Sequence, residues 1–430
     1  MSMEQQPAHG RERLGPEGPR SMVRTDRDLM HASALAKVSQ LLKSARSQST
    51  TKVAVLTSFP RCPEAPCGGV EAVSVNLVEA LAKCEDLEIH VVTMDRACRA
   101  PTVEPWRGAT VHRLPWTGLN VLTYAVGAGR RQMQAYLAQL RPDLAHAHDT
   151  YGLMLQGMQV PRVFTIHGII HADTRLAGGW SAWPRSVLWR WAETACWAEQ
   201  PHIISISPYV RERLRGIATG TIHDIDNPVA EEFFGVLRRE QRRVIFSAGI
   251  LCPRKNTLGL LEAFARLTAS GAGLELRLAG PARDEEYERR VRHFVESREL
   301  RDRVTLLGGI SAERVREELA VASVFALVSL QESAPMGVAE AMAAGVPVVT
   351  SNRCGMPYMV RDGESGYLVD PLDPDDIAAR LKQIVDDNGL RAAMSAKSRQ
   401  IAEDRFHPDC VAARTRAVYW RAIQTFRDGR

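Results

Sequence analysis

Two hydrophobic textures alternate along the chain. Short continuous apolar runs, of which Val53-Ala54-Val55-Leu56 is the first, have the pattern of strands buried on both faces. Stretches of helical period separate them. After the first run, the first half predicts helices over 70–83 and 131–140 and strands at 87–94, 109–114, 143–148, 162–166, 202–205 and 221–225. A Trp-rich helix falls before residue 202, and Ser207-Pro208 has the form of a helix N-cap with proline in the first position. Asn227-Pro228 closes this half, and residues 234–243 are polar and unpatterned. The second half predicts strands at 244–249, 274–280, 304–308, 324–330 and 346–350, again separated by helices. Beyond residue 373 the pattern is mostly helical, and the last helix, from 408 to about 426, has no surface left to cover in its own half.

Repeated strand, helix and strand means a parallel sheet covered on both faces. The expected architecture is therefore α/β, with two doubly wound parallel sheets in succession. Ligands of such sheets lie at the carboxyl ends of the strands, so the expected site is the cleft between the two. The expected organisation is a flexible, Pro-, Gly- and Gln-rich extension over 1–50, a first domain over 51–235, a second over 236–407, and a final helix over 408–430.

Length supports that division, because 430 residues exceed the roughly 250 that one core accommodates. With 45% hydrophobic and 24% charged residues the chain is of the ordinary globular class. The net charge of +5 is spread thinly, which gives no footprint for nucleic acid and leaves an anionic small substrate open. The eight cysteines form no CxxC pair. That pattern suits a reduced, cytoplasmic protein. No stretch reaches the roughly 18 apolar residues of a membrane span, and no apolar leader is evident. The fingerprints GxGxxG, GxxxxGK[ST], HExxH and GxSxG are missing where their chemistries need them, which removes the usual dinucleotide, P-loop, zinc-peptidase and serine-hydrolase readings.

The most informative stretch runs from Val324 to Thr350. A strand ends before Glu332, Ser333 or Ala334 can cap a helix with Pro335 in its first turn, Gly345 stops that helix, and a further strand follows. Glu332 then sits in the loop and Glu340 in the helix, beside the free amides of Met336 and Gly337 at the positive helix end. A phosphate is favoured there, by about 0.3–1 kcal/mol per charge interaction, and two carboxylates beside it suit neutral hydroxyls, which implies a polyhydroxylated, phosphorylated ligand. Either glutamate alone is equally compatible with a cap or a solvated face. A second motif, Gly249-Ile-Leu-Cys-Pro-Arg254-Lys255, follows the first strand of the second half and places two cations at a helix opening, as a diphosphate clamp requires. A solvated basic turn is the alternative. In the first half, Gly68-Gly69 at a helix start permits close backbone approach to a ligand.

Glu332 to Glu340 resembles the E-x7-E motif of retaining glycosyltransferases of family 4, and Glu340-Ala-Met-Ala-Ala-Gly-Val-Pro-Val-Val is similar to that family's sequence after the motif. The resemblance extends over most of residues 52–425. It implies the GT-B fold, two facing Rossmann-like domains with a C-terminal helix crossing back to the first. It also implies that Glu332 holds hydroxyls of the transferred sugar, Glu340 holds the ribose, and His167 faces the donor sugar across the cleft. Ser333-Ala334-Pro335 stands where many members have Gly-Phe-Gly, and Ile250 stands where the usual form has arginine.

The reaction so implied is metal-independent hexosyl transfer, with retention, from a UDP- or GDP-sugar to a hydroxyl acceptor in polysaccharide or glycoconjugate synthesis. A weakened scaffold subunit, a sugar-nucleotide epimerase and a phosphorylase are the competing classes. His146 and His148 are expected to be structural. Five of the eight tryptophans lie between Trp180 and Trp197. Trp180, Trp183 and Arg185 are acceptor-side candidates that could also touch a membrane, whereas the stripes Trp183-Val187-Trp191 and Trp189-Glu193-Trp197 equally fit core packing.

Overall fold

The computed structural model describes residues 50–176, 182–241, 243–269 and 273–429. The extension assigned to 1–50 lies outside the described residues apart from Thr50, and so does Trp180. From Thr50 onward the chain forms one compact unit built on two sheets.

The first sheet comprises β1 (Thr51–Leu56), β2 (Leu87–Asp95), β3 (Thr102–Trp106), β4 (Ala109–Pro115), β5 (Leu144–His148), β6 (Arg162–Ile166), β7 (His202–Ser205) and β8 (Thr221–Asp224), in the order β3-β4-β2-β1-β5-β6-β7-β8. The second comprises β9 (Val244–Ala248), β10 (Glu275–Ala279), β11 (Val304–Gly308), β12 (Val324–Leu327), β13 (Val348–Ser351) and β14 (Gly366–Val369), in the order β11-β10-β9-β12-β13-β14. Every pairing is parallel except β3 with β4. Strand order reverses between β1 and β5 and between β9 and β12. Those are the crevices where a doubly wound sheet receives ligands.

Two strands go beyond the sequence reading. β3 is mostly exposed and contains Pro105, so it shows no buried run. It survives as an edge strand, where a missing N–H is tolerated. β14 is four residues long and begins at Gly366, where a Cβ would lie 2.0 Å from the Val348 carbonyl oxygen. Only glycine fits that approach.

The C-terminal segment ties the two halves together. Helix Asn388–Phe406 packs Ile401, Ala402 and Phe406 against Val338 and Met342 of the second domain. After His407, helix Pro408–Asp428 buries Val411, Val418, Tyr419 and Ile423 against Val53, Val55 and Val78 of the first. Each such side chain contributes about 1.5–3 kcal/mol by burial. The half-exposed Arg416–Asp86 pair beside them, with Nε 2.8 Å from Oδ2, contributes at most about 1 kcal/mol. Apolar packing therefore holds the crossing helix, and Tyr419 adds a hydrogen bond to His146 at 2.8 Å.

Candidate donor and transfer site

The centre of the site is made by three loops at the carboxyl end of the second sheet. After β9, Gly249 lets Lys255 fold back over the chain: a Cβ at 249 would lie 3.4 Å from Lys255 Cε. The turn Pro253–Lys255 is closed by Asn256 in the left-handed region, at φ 56°, which asparagine tolerates. Its side-chain amide donates to the carbonyls of Val328 and Pro371, at 3.2 and 2.6 Å, and so fixes the turn to the end of β12 and the loop after β14. After β12, the Leu330 N–H donates to the Arg254 carbonyl at 2.8 Å, and the Glu332 carbonyl accepts from the Gly355 N–H at 2.9 Å. A Cβ at Gly355 would stand 1.7 Å from the Ser333 carbonyl oxygen, so this seat also requires glycine.

This scaffold brings the two sequence motifs into direct contact. Glu332 Oε1 lies 2.5 Å from an Arg254 guanidinium nitrogen and 2.6 Å from Lys255 Nζ, and Arg254 also donates to the Gln331 carbonyl at 2.9 Å. All three side chains are largely sheltered, with 13–24% of their surface accessible. In so protected a setting such charge-assisted contacts are about twice as strong as neutral ones.

Helix Met336–Ala343 begins beside them. Its N-cap is Pro335, not the expected Ser333 or Ala334, and no side chain caps it. Val338 and Ala339 donate to the Pro335 carbonyl, whereas the amides of Met336 and Gly337 have no backbone partner among the described residues. Two N–H groups at a positive helix end are therefore left for an anion. Gly337 sits tightly at this point, since a Cβ would lie 3.2 Å from the Ala248 carbonyl oxygen. One turn on, the Glu340 carboxyl makes no hydrogen bond or ion pair among the described residues. Burial pushes it up to about 7, against the pull of Lys255.

The first domain faces this cluster. Gly68 is the extended N-cap of helix Gly69–Ala82, with nothing within 4 Å of where a Cβ would stand, and a Cβ at Gly69 would contact Met336 Cγ at 3.6 Å. The glycine pair thus meets the helix start that carries Met336 and Gly337. Helix Ile170–Leu176 contributes Asp173, which the sequence reading did not single out. Its carboxyl is pushed up to about 6 by burial; Arg254 and Lys255 draw it down, and Glu332 and Glu193 push it up. Asp173 therefore shares the electrostatic field of Arg254, Lys255 and Glu332 from the opposite side.

His167 lies at the end of β6 but is turned inward. Nδ1 donates to Asn227 Oδ1 at 3.1 Å, which leaves Nε2 to accept from His148 Nδ1 at 3.0 Å. Only 9% of the residue is exposed, and burial lowers its pKa while Asp149 opposes the shift. In this conformation the imidazole supports the cleft wall. His146 and His148 are buried at the end of β5: His146 bridges Tyr419 and Thr165, and burial lowers it to about 3. Among the described residues no group of three or more His, Cys, Asp or Glu is placed to hold a metal ion.

The tryptophan helix spans Ala182–Glu199. Of its two stripes, Glu193 and Trp197 are buried with Trp189 partly buried above them, whereas Trp183, Val187 and Trp191 are 68%, 48% and 72% exposed. Core packing thus holds for the second stripe and fails for the first, because the first points away from the sheet. Arg185 is exposed on the same helix. Trp183 also lines a cavity of about 610 Å³ with His171, Arg175, Arg190, Arg213 and Gln331. Arg190 stands out in the sequence beside the tryptophans, but the cavity, with Arg175 and Arg213, does not, since no motif joins them.

Residues 67–233 match the family described as Glycosyltransferase Family 4, and residues 229–401 match Glycosyl transferases group 1. The chain is 28% identical over 297 residues to an MMP alpha-(1->4)-mannosyltransferase of Mycolicibacterium hassiacum, covering 65% of this chain and 71% of that protein. It is 30% identical over 225 residues to a D-inositol 3-phosphate glycosyltransferase of Nocardioides sp., covering 50% of this chain and 48% of the relative, so the match spans about half of that protein. The fold superposes on sucrose-phosphate synthase of Thermosynechococcus elongatus with a TM-score of 0.74 at 20% identity, covering 87% of this chain and 100% of that one. It superposes on HepE of Anabaena, in complex with UDP and glucose, with a TM-score of 0.64 at 16% identity, covering 86% and 99%. Two consecutive family matches from residue 67 to residue 401, on a pair of facing Rossmann-like sheets with GT-B neighbours, place this chain in glycosyltransferase family 4.

Proposed function

We propose that the protein transfers a hexose from a nucleotide-diphosphate sugar to a hydroxyl acceptor, with retention and without a metal ion. The observation that carries this reading is the convergence of Arg254, Lys255 and Glu332 beside the uncapped amides of Met336 and Gly337. The diphosphate takes the two cations and the helix end, Glu340 takes the ribose hydroxyls, and Glu332, released from its cations, takes hydroxyls of the sugar. Arg254 supplies the guanidinium that the family usually carries at the position of Ile250. Preorganised donors of this kind act on charge that develops in the transition state, and removing one commonly costs about 10²–10³-fold in rate.

In the transfer step the bond from the anomeric carbon to the diphosphate oxygen breaks, and a bond from that carbon to the acceptor oxygen forms on the same face. The acceptor's proton passes to the departing diphosphate oxygen, where Arg254 and Lys255 stabilise the charge. UDP is the first nucleotide to try, because HepE binds it in the same fold. The test is donor turnover without acceptor, followed by NMR of the released sugar with UDP-glucose and GDP-mannose. The expected result is slow release of the retained α-anomer, lost in Glu332→Ala. Initial release of the β-anomer, or undiminished turnover in the variant, would contradict the proposal.

A further inference from the structure

Asp173 faces the transfer site and has no task in the reaction proposed above. It stands in the first turn of helix Ile170–Leu176, which runs beside the Pro253–Lys255 turn of the second domain. A Cβ at Gly168 would lie 3.9 Å from Asp173 Oδ2, so the carboxylate lies over the chain just beyond β6, at the carboxyl end of the first sheet. It is partly buried, within the field of Arg254, Lys255 and Glu332 across the cleft. Glu332 is held by its two cations, whereas Asp173 makes no hydrogen bond or ion pair among the described residues. A carboxylate is a pure acceptor, so this one is left to receive a donor from a ligand.

A buried residue fixes the helix that carries it. Glu193 Oε1 accepts from the Ile170 N–H at 2.8 Å, Oε2 accepts from the His171 N–H at 3.0 Å, and Oε2 also lies 2.7 Å from His171 Nδ1. Ser186, one helical face further back, donates to the His171 carbonyl at 2.8 Å. Burying a carboxylate is costly unless donors surround it, and here the donors all come from one short helix. A seven-residue helix is far below the length that holds by itself, about 12–15 residues. Glu193 and Ser186, both on helix Ala182–Glu199, therefore set where Asp173 stands.

The rest of this wall offers little to an incoming hydroxyl. His167, at the end of β6, has both ring nitrogens engaged, by Asn227 and His148. In the transfer step the reacting hydroxyl gives its proton to the departing diphosphate oxygen, so it needs no base. A second hydroxyl beside it still brings a donor into the cleft, and that donor needs an acceptor. Resting on the donor reading above, we infer that Asp173, held in place by Glu193, orients the acceptor by accepting a hydrogen bond from a hydroxyl next to the one that reacts. A hydrogen bond to a carboxylate is about twice as strong as a neutral one, which suits it to this task. The acceptor class is then a sugar or polyol with adjacent hydroxyls, and Glu193 is a positioning residue that acts through Asp173. A water molecule in place of the acceptor meets the same two partners: one proton passes to the diphosphate oxygen as the anomeric carbon takes the water oxygen, and the other is held by Asp173.

The experiment uses the full chain with water as acceptor. UDP release from UDP-glucose and GDP release from GDP-mannose are followed for the parent, Asp173→Asn, Asp173→Glu and Glu193→Gln, with nucleotide affinity and thermal midpoint measured on the same preparations. In Asp173→Asn the expected result is a fall in kcat of about tenfold to a hundredfold, the scale of a misplaced reactant. Nucleotide affinity should equal the parent's or be a few-fold tighter, because a negative charge facing Arg254 and Lys255 is gone, and the midpoint should hold. Asp173→Glu should recover part of the rate, and Glu193→Gln should lose rate with affinity within about twofold of the parent. A parental rate in Asp173→Asn, or a joint fall of rate, affinity and midpoint in that variant, would overturn the inference. Failure of the parent to release either nucleotide would instead overturn the donor reading on which it rests.

Discussion

Lys255 Nζ lies 2.6 Å from Glu332 Oε1, so the residue proposed to hold the diphosphate and the residue proposed to hold the sugar are each other's partner in the unliganded cleft. On the proposed reading, a diphosphate entering the cleft would compete for Lys255 and Arg254 and free the Glu332 carboxylate for the sugar.

Glu332→Gln keeps the shape of the side chain and removes its charge. The two cations then lose their competitor, so nucleoside diphosphate affinity is expected to rise a few-fold while transfer falls by about 10²-fold or more. Titration calorimetry and a transfer assay on the same preparation read the two effects. A parallel loss of both would mean that Glu332 serves only to hold the loop.

Glu340 makes the pH dependence of stability informative. Its folded pKa of about 7 lies above the ordinary 4.5, so its contribution to stability is fully present below about 4.5 and is lost as pH rises through about 7. Asp173 acts in the same sense between 3.8 and about 6. His146, lowered from 6.5 to about 3, acts oppositely: its contribution is present above 6.5 and is lost as pH falls towards 3. In Glu340→Gln the histidine contribution remains and the Glu340 contribution goes, so urea midpoints measured from about pH 5 to about pH 7.5 should decline less with rising pH than in the parent. Identical pH profiles would place the Glu340 carboxyl in water.

Tyr419 couples the crossing helix to β5. Tyr419→Phe leaves His146 Nδ1 buried without its partner, at an expected cost of about 1–3 kcal/mol in urea denaturation. Donor affinity should stay within about twofold, because the change lies outside the cleft. An unaltered midpoint would show that apolar packing alone fixes the helix.

At Gly68 there is open space where a side chain would go, and the backbone is extended. Gly68→Val is therefore expected to leave the unfolding midpoint nearly unchanged while lowering donor affinity about tenfold, by occupying the room through which a ligand approaches. Thermal unfolding and nucleotide titration separate the two readouts. Parental affinity in this variant would remove the glycine loop from the site.

The sequence makes the second domain easy to read, because strands such as Val244–Ala248 and Val324–Leu327 are buried on both faces and appear as unbroken apolar runs. β3 escapes notice because its exposed residues carry no such run, and β14 because four residues do not make a pattern. The proximity of Glu332 to Lys255 follows from the strand order, which places the loops after β9 and β12 side by side. Asp173 and the three cavity arginines come from short or polar helices whose facing is decided by tertiary packing. The two tryptophan stripes show the limit most directly: both repeat every fourth residue, and only the position of the helix on the sheet decides that Trp197 is buried and Trp191 exposed.

The central claim is that Arg254, Lys255 and the helix amides hold a nucleoside diphosphate without metal. Calorimetric titration of UDP, GDP and ADP in the presence of a chelator, on the parent and on Lys255→Ala, tests it most directly. The account predicts that one nucleotide binds the metal-free parent and that its affinity falls about tenfold to a hundredfold in the variant, the loss expected for charge-assisted hydrogen bonds. Binding of none of the three, or equal affinity in parent and variant, would contradict it.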